Sequence, residues 1–97
     1  MLRGANGHSV AGSAEIVRTG NSYALELRSD FRIDIGSTDL YLARGQGGVT
    51  SDDLNLGSVR SLTGAQSFAM PNDGSAYPNV LLWCRPFRIP VGIGELR

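Results

Sequence analysis

The chain contains no lysine. All nine of its basic residues are arginines, and nine acids balance them to a formal net charge of zero. Without lysine there is no GxxxxGK[ST] phosphate loop. Without surplus positive charge there is no driving force for nucleic-acid binding and no polybasic patch for anionic lipid. A single cysteine, Cys84, excludes an internal disulfide framework and a cysteine-rich zinc site. A single histidine, His8, leaves a Ser/His/Asp triad one residue to draw on, and no Gly-x-Ser-x-Gly elbow occurs. The longest apolar run, Val80-Leu81-Leu82-Trp83-Cys84, is far short of the ~20 residues that span a bilayer. The N-terminus lacks the apolar stretch of a secretory signal. These absences argue against a nucleic-acid partner, direct membrane insertion and an enzyme.

Glycine, by contrast, is abundant: 13 residues of 97, against about 7% in an ordinary protein. Glycine weakens helices and supplies positive φ at turns, so a turn-rich β protein is expected. The length suits one domain with one core. That domain is expected over residues 4–97, with residues 1–3 as a linker.

Alternation with a period of two dominates. Tyr23, Leu25, Leu27, Phe31, Ile33 and Ile35 are apolar on odd positions, while Glu26, Arg28, Asp30, Arg32 and Asp34 are polar on even ones. This predicts a half-buried strand, or two strands broken near Ser29-Asp30. A first strand is expected from His8 to Arg18, joined to the next by the turn Thr19-Gly20-Asn21-Ser22. Further strands are expected over Asp39–Arg44, Leu54–Val59 and Gln66–Met70. Gly45 to Asp53 reads as a flexible surface loop. Asn79–Arg85 is apolar on both faces and reads as a central strand. In the last strand, Phe87–Ile93, Pro86 and Pro90 remove ladder donors and predict an edge or a bulge. The sum is an all-β fold, an antiparallel sandwich or barrel of seven to eight short strands.

Few residues carry chemistry. Cys84 is either a small core hydrophobe or a redox thiol, and the second role needs a cation or metal beside it. His8 shares the apolar parity of its strand, which favours a structural role. His8 and Cys84 are the two residues that would supply a soft copper or haem-iron site. Asp30, Asp34, Asp39, Asp52 and Asp53 lie near turns and read as turn chemistry and solvated charge. Tyr41, Trp83, Tyr77 and Phe68 are able to line a carbohydrate or peptide groove, or to fill core and edges.

The order of certain segments resembles the DM-thirteen domain family, an electron-transfer family found beside DOMON domains. The resemblance runs from His8 to Leu96. It is carried by His8-Ser9-Val10-Ala11-Gly12-Ser13-Ala14, by Phe31 followed by Asp39-Leu40-Tyr41-Leu42, by Leu56-Gly57, and by Gly64-Ala65-Gln66-Ser67-Phe68 with Pro71. Its most specific segment is Trp83-Cys84-Arg85-Pro86-Phe87. The chain departs from the family in having Ser37-Thr38 for Gly-Pro, Arg88 for a histidine and Gly92 for a late aromatic. The resemblance implies a redox centre at Cys84, with His8, Asp39, Trp83 and Phe87 around it. It also implies an extracellular, periplasmic or cell-surface setting and a redox partner protein or neighbouring domain. It names no cofactor. The alternative expectation is a non-catalytic ligand-binding or adhesion module in which Cys84 is structural.

Overall fold

A computed structural model describes residues 1–96. The described chain is all-β, with ten strands and no helix. They are β1 (Leu2–Gly4), β2 (Val10–Ala11), β3 (Ala14–Thr19), β4 (Ser22–Leu27), β5 (Arg32–Ile33), β6 (Thr38–Ala43), β7 (Leu54–Ser58), β8 (Gln66–Met70), β9 (Asn79–Cys84) and β10 (Ile89–Glu95). A five-stranded sheet runs in the order β1-β10-β9-β6-β7, a three-stranded sheet in the order β3-β4-β8, and β2 and β5 form a small ribbon. Every pairing is antiparallel. The inner faces of the two larger sheets meet in one core. Leu40, Leu42, Val80, Leu82 and Cys84 come from one sheet and Leu25, Leu27, Phe68 and Met70 from the other.

Ten strands replace the expected seven to eight because two apparent strands are interrupted and an unexpected strand, β1, precedes them. The expected His8–Arg18 strand breaks at Gly12, whose φ of +106° suits glycine. A β-carbon there would lie 2.7 Å from the Phe31 Cα. The segment after Leu27 breaks over residues 28–31, where Phe31 N donates to Arg28 O, so the two-strand reading of Tyr23–Ile35 holds. His8 therefore lies outside any strand, ahead of β2, and its apolar parity has no structural meaning.

Residues 1–3, expected as a linker, include most of β1. Leu2 is buried, and β1 pairs with β10 at Leu2↔Gly94, Arg3↔Ile93 and Gly4↔Gly92. Consequently β10 is flanked by β1 and β9 and is not an edge. The expected bulge does occur, between Pro90 and Gly92. Gly92 itself answers to packing. A β-carbon there would sit 2.7 Å from Leu82 Cδ1 and 3.0 Å from Val10 Cγ2. Phe87, expected to open the last strand, lies instead in the β9–β10 turn, where Arg88 N donates to Cys84 O.

The β6–β7 loop is held by side chains. Asp53 accepts from Arg44 N at 3.2 Å and from Thr50 N at 2.9 Å. Gln46 accepts from Arg3 and donates to Asn79. In the β8–β9 turn, the exposed Asp73 accepts from Ser75 N, which holds its carboxyl below the ordinary 3.8.

Candidate functional site

Strand alternation decides where Cys84 and its neighbours point. Cys84 pairs with Thr38 on β6 and with Ile89 on β10, and faces the core. Its exposure is 0%. Asp39 pairs with Trp83, one position away on each strand, so both face the opposite side of the sheet. The family resemblance groups Cys84 with Asp39 and Trp83. The pleat separates them. Arg85 likewise turns away from the thiol and binds Asp39.

Asp39 is the centre of a polar network on that outer face. Only 7% of the residue is exposed. Its carboxylate forms an ion pair with Arg85 and accepts from Ser58 Oγ at 3.1 Å and from Asn55 Nδ2 at 3.4 Å. Asn55 Nδ2 also donates to the Tyr41 hydroxyl at 3.3 Å. Tyr41 meets Trp83 edge-on, with centroids 6.5 Å apart and an interplanar angle of 72°. Burying a carboxylate is costly unless it is paired and hydrogen-bonded, and this one is both. Each polar partner is engaged within the chain, so the network reads as an internally satisfied clasp joining β6, β7 and the β9–β10 turn.

The other aromatics divide. Phe68 is buried under Arg60, whose guanidinium lies 4.9 Å from the ring centroid. Tyr77 carries Arg44 at 5.9 Å and donates its hydroxyl to Asp52 O. Phe87 is 70% exposed in its turn. Tyr41, Trp83, Tyr77 and Phe68 therefore do not form one groove, although Tyr41 and Trp83 do share a face.

His8 is placed elsewhere. Its Nδ1 lies 3.3 Å from Asp34 Oδ1, and its side chain is 24% exposed. No group of three or more His, Cys, Asp or Glu side chains able to hold a metal occurs among the described residues.

Beside the His8–Asp34 pair lies a cleft of about 410 Å³. It opens on the β2–β5 ribbon and is lined by Gly4, Ser9, Val10, Ala11, Arg32 and Asp34, among others. The ribbon pairs Val10 with Ile33 and Ala11 with Arg32. Ile33 is buried, so alternation sends Ala11 and Arg32 to the outer face. Asp34 extends the same register through a bond from its N–H to Ser9 O. Arg32 and Asp34 are thus two positions apart on one exposed surface.

In the sequence, Asp34 reads as turn chemistry and Arg32 draws no assignment beyond its parity. That parity is itself a signal, since both residues fall on the even, polar positions of the 23–35 stretch. What the sequence conceals is the partner segment around Ser9–Ala11, which comes from more than 20 residues earlier and closes the cleft. Compared with family models, curated proteins and solved structures, the chain matches none.

Proposed function

We propose that this domain is a non-catalytic ligand-binding module, with Cys84 as a packing residue and the β2–β5 cleft as its binding site. The observation that carries this reading is the cleft itself. It is within the volume range of small-molecule sites, and charged and apolar groups converge on it. The extracellular, periplasmic or cell-surface setting belongs to the same proposal and rests on the DM-thirteen resemblance. The electron-transfer reading asks for access to the Cys84 sulfur. A thiol with no exposed surface and no cation turned toward it gives that reading no support.

The test is a fragment screen by amide NMR on the intact chain, using small polar and amphipathic compounds. Shifts confined to residues 8–11 and 32–34 are expected. A screen in which no compound moves those resonances would sink the proposal. In parallel, a thiol reagent is expected to leave Cys84 unmodified until denaturant is added. Rapid, stoichiometric reaction of the native protein would restore the redox reading.

A further inference from the structure

The charges around the cleft specify a ligand class. Asp34 engages His8 through Oδ1 alone, and no hydrogen bond to its Oδ2 is formed among the described residues. Arg32 forms no ion pair and no side-chain hydrogen bond among the described residues. Among the described residues Arg3, Arg28 and Arg85 are each paired with an acid, whereas Arg18, Arg44, Arg60 and Arg88, like Arg32, are not. Arg32 and Asp34 are also not bonded to each other, although they share a face. Their Cα atoms are two strand steps, roughly 6.6 Å, apart. Opposite charges with unused bonding capacity therefore stand side by side at one cleft.

The rest of the lining is small or apolar. Ala11 contributes carbon surface and Ser9 a hydroxyl-bearing side chain, while Val10 turns its side chain inward toward Gly92. Gly4 contributes only backbone. A β-carbon at Gly4 would fall 1.9 Å from His8 O, so β1 can approach the His8–Val10 segment this closely only through glycine. A purely anionic ligand would meet Arg32 but be opposed by Asp34. A purely cationic ligand would meet the reverse. A molecule carrying both charges a few ångströms apart satisfies each.

Resting on the binding reading above, we propose that the cleft takes a free α-amino acid with a small apolar side chain. Its carboxylate receives the Arg32 guanidinium in a fork-like pair. Its ammonium donates to Asp34, and its side chain lies against Ala11, which shares their face. The site is open to solvent, so affinity is expected to be about millimolar.

The test titrates the intact protein with four compounds, followed by amide NMR. L-valine is expected to shift residues 9–11 and 32–34. L-valine methyl ester lacks the carboxylate, N-acetyl-L-valine lacks the ammonium, and isovalerate has only the carboxylate. Each is expected to bind about tenfold more weakly or worse, the scale of a lost charged hydrogen bond. Arg32→Gln and Asp34→Asn are expected to weaken L-valine similarly while keeping a native spectrum, since both residues are exposed. Isovalerate or N-acetyl-L-valine binding as well as L-valine would overturn the zwitterion assignment and leave the cleft reading standing. The zwitterion assignment also falls, and the cleft reading again stands, if none of the four shifts the cleft but fragments from the screen do. Silence of both sets overturns both readings.

Discussion

Cys84 shows how one side chain's role is set by the pleat. The residue sits in the most continuously apolar strand, and alternation buries its sulfur against the core while sending Asp39, Trp83 and Arg85 to the other face. Two substitutions separate a packing role from a reactive one. Cys84→Ala removes one buried atom and is expected to cost about 1 kcal/mol in transfer and cavity terms. Cys84→Ser is nearly isosteric but places a hydroxyl in an apolar shell, with a cost of about 1–3 kcal/mol where it lacks a partner. Urea unfolding would check this. A Ser variant clearly more stable than Ala would contradict the apolar-shell argument. Asp39 shows the complementary rule. It is nearly as buried as a core residue yet is tolerated, because Arg85, Ser58 and Asn55 all direct donors at it. Apart from heading an expected strand and belonging to the family resemblance, Asp39 has nothing at the residue level to distinguish it from the exposed Asp30 or Asp52. All three are aspartates near turns, and only the outer-face register of β6 and β7 gathers donors around one of them.

At the scale of elements, legibility tracks how local the determining interactions are. The strands β7, β8 and β9 fall within a residue of their expected bounds, since each is a short segment set off by turn residues on either side. β9 is central, as its two apolar faces require. What the sequence hides is long-range. Gly12 breaks the first strand because Phe31, 19 positions later, packs across its backbone. β1 is a strand only because β10 offers it a ladder. Gly92 looks like bulge chemistry in the sequence, whereas it makes room for Leu82 and Val10 from two other elements. This last point is testable. Gly92 has an ordinary φ, so the added methyl of Gly92→Ala acts through overpacking. It is expected to destabilise by about 1–3 kcal/mol. Relief by Leu82→Val in the same chain would show that the clash is with that side chain, because contacting residues couple in a double-mutant cycle. Simple additivity would exclude it. The cleft follows the same pattern. Its charges, Arg32 on β5 and Asp34 just after it, are visible as polar parity, and its opposite wall around Ser9–Ala11 is not.

Over the whole molecule, the first strand of the chain pairs with the last. Leu2 reaches the core across β10, and Leu2 N donates to Gly12 O, so the N-terminus joins the five-stranded sheet to the β2 segment. The Cα radius of gyration is 12.0 Å, close to the roughly 12.5 Å expected for a compact domain of this length. Closure of this kind joins segments about 90 residues apart, so folding is expected in milliseconds to seconds, as for other β domains of non-local topology. It also has a consequence for association. Removing residues 1–4 takes away a buried leucine, worth about 2–5 kcal/mol where the space cannot collapse. The same deletion bares one side of β10, a seven-residue, mostly buried strand with no lysine to guard it. An exposed apolar edge is a template for pairing with a second chain. The shortened protein is therefore expected to unfold at lower denaturant and to associate more strongly than the intact chain. Urea titration and sedimentation velocity at matched concentrations would measure the two effects. Lower stability without added association would mean that the Pro90 bulge already protects this edge. Unchanged stability would mean that β1 contributes little to the core despite the burial of Leu2.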